Sequence, residues 1–233
     1  LLLAGGVLAA APALAANDGK AWPAKPVTLI VPFPAGGGAD SLARLVMPRV
    51  SRLLGQNIVI DNRAGAGGNL GAEHVAHSAP DGYTLLYGTN GTHSINASLY
   101  RSLRFDPQRD FAPISRMTEI ATMLVVNPQF PATSTAELIR HAKANPGKIN
   151  FASAGNGTTS HLAGEMFRTQ AGIDIVHVPY RGGALAMTDL IAGHVQMMIE
   201  VMPNAWPQAR EGRVRGLAIG SSSRFPAAPD IPT

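Results

Sequence analysis

The sequence contains no cysteine. That excludes a disulfide framework and any thiolate metal site, so stability has to come from an ordinary apolar core. Charge is sparse as well: 15% of residues are charged, and 19 Lys and Arg against 15 Asp and Glu leave a net charge of +4. No run of basic residues interleaved with aromatics occurs, so no nucleic-acid partner is expected. Long hydrophobic runs are also missing. The most apolar stretch, Leu1 to Leu14, is shorter than the roughly 18 residues of a membrane-spanning helix. It closes on Ala13-Leu14-Ala15, a small-x-small pattern, and residues 1–15 therefore read as a signal peptide without its basic start. A soluble chain in the periplasm is expected, with no lipid anchor because no cysteine follows the cleavage site.

What the chain has in quantity is turn-forming residues, 25 Gly and 18 Pro. Between the turns, short β-rich runs alternate with helix-period runs, the pattern of an α/β fold with a mostly parallel sheet. Val27–Val31 reads as the first strand. The helix after it has Leu42, Leu45, Val46, Val50, Leu53 and Leu54 on its predicted apolar face and Gly55 as its C-cap, with Pro48 inside it. Strands at 57–61 and 83–87 follow. The alternation restarts after Asp106-Pro107, with a helix at 135–144 and strands at 149–153, 174–178, 195–201 and 214–220. This divides the chain into a first lobe (16–120), a second lobe (121–220) and a stretch at 221–233 that starts a return to the first. Hinges are expected near 119–123 and 219–222.

Two units are built alike. Val27–Val31 leads into Pro32-Phe-Pro-Ala-Gly-Gly-Gly-Ala-Asp40 and then a helix. Ile149–Ser153 leads into Ala154-Gly-Asn-Gly-Thr-Thr-Ser160 and then another. Glycine lets the backbone approach a ligand closely, and the unpaired N–H groups of a helix N-terminus attract anions. In open parallel sheets ligands lie beyond the carboxyl ends of the strands, where both loops fall. One loop in each lobe would grip a small anion from two sides. For either loop alone a plain helix-capping turn explains the residues equally well, since Asp40 and Ser160 are ordinary cap residues.

Several longer runs then become recognisable: "VTLIVPFPAGGGAD", "NRAGAGGNLGAEHVA", "APDGYTLLYGTNGTHSINASLY", "ASAGNGTTSHLAGEMF" and "HVPYRGGALAMTDLIAGHV". In these the chain resembles the substrate-binding proteins of tripartite tricarboxylate transporters, the Bug or TctC family. The resemblance implies a type II periplasmic binding-protein fold, two doubly wound lobes joined by crossing strands with a ligand cleft between them. It implies a small organic carboxylate as ligand (a di- or tricarboxylate, an amino acid or an aromatic acid), a membrane permease as partner and a monomeric chain. It implies neither cofactor nor metal. Carried over, the ligand residues are Phe33, Gly36, Gly37, Gly38 and Asp40 on one side and Ser153, Ala154, Gly155, Asn156, Thr158, Ser160 and His161 on the other. Asn69, Thr89, Thr92 and His93 are expected at the mouth from the first lobe, and Tyr180, Arg181 and Gly182 from the second. The chain departs from the family at Ala35, at Gln196 and at Glu200, where Asp or Asn is usual. Glu200 either faces the cleft, favouring a ligand with an ammonium or hydroxyl group, or is an exposed surface side chain. Valine at Gly37 or Gly155 is expected to block the backbone approach.

Enzymatic readings fare worse. Gly65-x-Gly67-x-x-x-Gly71 approaches a dinucleotide fingerprint, but its third Gly comes one place late and no acidic residue ends the next strand. Ser160 and His161 are adjacent, which places them badly as a nucleophile and base, and no G-x-S-x-G elbow occurs. His74 and His77 read as a surface pair, His177 as a satisfied core residue, and Met197 and Met198 as core. A periplasmic carboxylate sensor, or an interaction module without a transport role, stays open as the second reading.

Overall fold

The computed structural model describes residues 22–233, so the signal-peptide reading of residues 1–15 lies outside the described residues. The first lobe is a three-stranded parallel sheet in the order β2-β1-β3, formed by Ile58–Asn62, Val27–Val31 and Thr84–Leu86. Helix α1 (Gly38–Leu54) follows β1, and α2 (Asn69–Ala76) follows β2 after a short turn at Ala66–Gly68. A wide, π-helical turn at Gly91–Ile95 runs into α3 (Asn96–Leu99).

The apolar face of α1 is only partly the one the sequence predicts. Val46 and Val50 of the expected stripe pack with the buried Ala43 and Met47 against Leu29 and Val31, whereas Leu45 and Leu53 are 75% and 78% exposed. The most buried positions, Ala43 and Met47, lie one helical turn apart beside that stripe. The helix stops at Gly55, left-handed at φ 69°, as expected of a C-cap glycine.

The second lobe is larger and mixed. Its sheet runs β6-β5-β7-β4-β8, from Val176–Pro179, Asn150–Ser153, Met197–Val201, Thr122–Val126 and Arg215–Gly220. The three strands β6, β5 and β7 are parallel, while β4 is antiparallel to both of its neighbours. Strand β4 is buried on both sides. Met123 and Val125 face one core, packed with α6 (Gly183–Ala192) and α7 (Met202–Arg210). Leu124 and Val126 face the other, with α4 (Thr135–Ala144) and α5 (Thr159–Ala171). Alternation along a strand splits its side chains between the two layers, which is why β4 reads as an unbroken apolar run. The stretch expected to begin a return to the first lobe lies, over these residues, against the second: Phe225, Ala228 and Ile231 pack on the α6/α7 core, and Pro232 O accepts the Ile219 N–H at 2.8 Å.

Candidate functional site

The loop after β1 is shaped by one carboxylate. Gly36 has φ +80°, a conformation open to glycine, and its N–H donates to Asp40 Oδ2 at 2.9 Å. The same oxygen accepts from Arg44 Nε at 2.8 Å, and Oδ1 accepts from Asn62 Nδ2 at 3.0 Å. Asn62 also donates to Phe33 O at 2.9 Å. Burial pushes the Asp40 pKa up, but the hydrogen bonds from Arg44, Gly36 and Asn62 outweigh it and leave it below the ordinary value. Asp40 is thus a buried anchor rather than a group free to touch ligand. Gly37 caps α1 with no side-chain hydrogen bond, so the first-turn amides of that helix have no side-chain partner. A β-carbon at Gly37 would meet only Pro34 O, at 3.4 Å, so valine there clashes little with the protein itself.

Hydroxyls and imidazoles hold the loop after β5 instead. Ala154 N–H donates to Ser160 Oγ at 2.8 Å, and Gly155 N–H to Ser153 Oγ at 3.1 Å. Gly157 N–H donates to His161 Nδ1 at 3.2 Å, while Thr158 Oγ1 donates to Gly155 O at 2.6 Å. Ser153, Thr158 and Ser160 are all buried. Helix α5 also starts without a side-chain cap, as does α6 after Gly182.

The lobes enclose a cavity of about 230 Å³, lined from the first by Phe33, the Gly65–Gly68 turn and Tyr100 and from the second by Ala154, Gly155, Asn156, Pro179, Tyr180 and Arg181. They touch around it. Tyr100 OH donates to Asn156 O at 3.2 Å, and Thr159 Oγ1 donates to Asn90 Oδ1 at 2.9 Å. A β-carbon on Gly67 would lie 2.2 Å from Asn156 O, so the two backbones meet where only glycine fits. Arg181 is the sole charged side chain of the lining, is exposed, and has no hydrogen bond or ion pair among the described residues. Tyr180 donates its hydroxyl to Asp189 Oδ2 at 2.7 Å. Burial, with that bond and the Asp189 charge, raises its pKa to about 12, which keeps the phenol neutral.

Six of the residues expected at the site line the cavity: Phe33, Ala154, Gly155, Asn156, Tyr180 and Arg181. Gly36, Gly37, Asp40, Ser153, Thr158, Ser160 and His161 form the supporting turns, and Gly38 packs on Val201 and Asn204 across the lobe boundary. Gly182 packs on Pro34. Asn69 accepts from Asn96 Nδ2 at 2.6 Å, Thr89 and Thr92 bond to each other, and the His93 ring packs tilted on Phe111 with centroids 4.8 Å apart. These last four belong to the internal network of the first lobe. Glu200 is not an exposed surface side chain: it is only 4% exposed and lies beside Gly183 and Asn204, outside the lining of this cavity. Burial raises its pKa to about 7, and Oε2 has no hydrogen-bond partner. Tyr100 and the Gly65–Gly68 turn escaped the sequence reading. The turn had a signal in its glycines, which were weighed there as a nucleotide fingerprint.

A cleft between two α/β lobes, walled by glycine loops and uncapped helix starts, defines a two-lobed binding protein of the periplasmic type. The chain belongs to the tripartite tricarboxylate transporter receptor family, TctC, whose pattern matches residues 42–233. It is 38% identical to the "UPF0065 protein in tcbD-tcbE intergenic region" of Pseudomonas sp. (strain P51), over 91% of this chain and 63% of that relative. Among solved structures, "R. palustris Rpa4515 with adipate" is 40% identical, with a TM-score of 0.89 over 91% of this chain and 71% of that one. "MatC (Rpa3494) from Rhodopseudomonas palustris with bound malate" is 38% identical, with a TM-score of 0.86 over 91% and 72%. Among the described residues no helix is long and apolar enough to cross a membrane.

Proposed function

We propose that this chain captures a small organic carboxylate in the periplasm and delivers it to the permease of a tripartite tricarboxylate-type transporter, acting as a monomer and without catalysis. The observation that carries the reading is Arg181, an unpaired cation on the wall of a cavity whose other lining side chains are uncharged. A guanidinium matches the planar fork of a carboxylate, and the open amides of α1, α5 and α6 add further donors and positive helix ends. Adipate and malate in the two Rhodopseudomonas palustris relatives support the class of ligand. Ligand would favour the closed arrangement, because only there can one anion touch both lobes.

The test is a thermal-shift and calorimetric screen against mono-, di- and tricarboxylates, acidic amino acids and aromatic acids. Ligand at about a hundred times its dissociation constant should add roughly 2.7 kcal/mol of stability. Arg181→Gln should weaken the best acid by about ten- to a hundredfold while leaving the unliganded protein as stable as before. Stabilisation by none of these acids would sink the proposal.

A further inference from the structure

The second glycine loop rests on two histidines that the binding reading has so far left without a task. His177 on β6 and His161 in the first turn of α5 lie ring on ring, with centroids 4.3 Å apart and planes at 27°. Phe151 continues the stack on the far side of His177, at 4.8 Å and 26°. His177 Nε2 is 2.6 Å from Ser153 Oγ, the same oxygen that accepts the Gly155 N–H. His161 Nδ1 accepts the Gly157 N–H directly. The imidazole pair therefore holds two amides of the loop, one through a serine and one by itself.

The remaining amides complete the pattern. Ala154 N–H is taken by Ser160, and Thr158 N–H by Gly155 O at 3.2 Å. Among residues 154–158 only Asn156 N–H lacks an acceptor among the described residues, and Asn156 lines the cavity. We infer that His161 and His177 are positioning residues, which by holding the Gly157 amide directly and the Gly155 amide through Ser153 leave Asn156 N–H as the loop's free donor at the cavity wall. The inference rests on the carboxylate-binding reading for its consequence, though not for its geometry.

The direct bond to Gly157 needs a neutral His161. Nδ1 of His161 accepts an N–H only while it carries no proton; once protonated it becomes a donor facing another donor. Burial lowers the pKa of His161, and burial together with the neighbouring His161 lowers that of His177 to about 4. The one charged neighbour acting on the pair is Glu165, a turn further along α5, and it is itself paired with Arg168 at 2.8 Å. Phe151, Ala152 and Ser153 of β5 and all of β6 apart from His177 carry no titratable group toward it. Neither do Met197 and Ile199 of β7. Acid is thus the agent that undoes the loop.

Affinity for whichever acid the screen identifies should be measured from pH 7.5 to pH 5 for the wild type, His161→Asn, His161→Leu and His177→Phe. Asparagine places an oxygen where Nδ1 was and does not titrate. It should bind within about threefold of wild type and remove the histidine part of any acid loss, with ligand protonation common to both proteins. Leucine should weaken binding at pH 7.5 by roughly tenfold or more, the cost of a stranded amide. Phenylalanine at 177 keeps the stack but not the bond to Ser153, and it should bind more weakly than wild type. Amide exchange of Gly155 and Gly157 in the unliganded protein supplies an independent readout. Gly157 should exchange faster in His161→Leu and not in His161→Asn, and Gly155 faster in His177→Phe. Equal affinity and equal exchange in the leucine and asparagine variants would overturn the assignment. If the wild type binds no carboxylate the functional reading fails, while the exchange data still decide what the histidines do.

Discussion

The two glycine loops have the same plan and different anchors. Each joins a parallel strand to a helix that starts without a side-chain cap, and each turns through a glycine at positive φ, Gly36 in one and Gly155 in the other. The first is tied down by a single ion, Asp40, whose carboxylate collects an amide, a guanidinium and a carboxamide. Five neutral side chains, Ser153, Thr158, Ser160, His161 and His177, tie down the second. The contrast separates what the site requires from how the chain supplies it. The requirement is a rigid turn with its inward donors unspent. Charge or a neutral network supplies it equally well, but the two respond differently to acid: the first fails only when a carboxylate held below its ordinary pKa takes up a proton, the second when an imidazole does.

The largest test of this comparison is Asp40→Ala. It strands Gly36 N–H and one of the two Asn62 Nδ2 hydrogens and removes bonds to a charged acceptor, so a loss of about 3–4 kcal/mol in unfolding free energy is expected. Carboxylate affinity should fall by roughly a hundredfold, while amide exchange of Gly155 and Gly157 stays as in wild type. Changed exchange in the second loop would show that the anchors are not separate.

A second test uses the opposed titrations of the second lobe. Glu200 has its folded pKa raised from 4.5 to about 7, so its contribution is fully present below 4.5 and is lost as pH rises through about 7. His177 is lowered from 6.5 to about 4, so its contribution is present above 6.5 and is lost as pH falls through about 4. Glu200→Gln should be more stable than wild type at pH 8 by up to about 3 kcal/mol, with most of the gain gone by pH 5. Denaturant unfolding at the two pH values reads this directly; equal stabilities at pH 8 would mean that the carboxyl is solvated. The smallest effect is expected from Tyr100→Phe, which removes one hydrogen bond across the lobes and should weaken binding by about threefold or less, measured by calorimetry.

Much of this was legible from the sequence, for reasons that can be named. Strand β1, the Gly55 cap and α4 are local: a β-branched run, a left-handed glycine and a Ser134 cap before a helical period. Both glycine loops were found because glycine is where backbone must come close. Helix α7 was not among the expected helices, and it holds two prolines, Pro203 and Pro207. Pro203 sits in its first turn, where the missing N–H costs nothing, and Pro207 is carried inside the helix. The docked face of α1 was legible only in part, since periodicity found Val46 and Val50, while the sheet accepts Ala43 and leaves Leu45 in solvent. Tyr100 had no local signal at all, since its partner Asn156 is 56 residues away. Glu200 ends β7 on the face that α6 covers, and nothing in its neighbours announces that cover.

The meeting of Gly67 with Asn156 O has a consequence for communication. On the proposed function, main chain resting on main chain there would make the outline of the joined lobes depend on the polypeptide and not on the size of the guest. A permease reading that outline would receive the same message for every acid that fits inside. Discrimination between cargoes would then be complete before the membrane is reached.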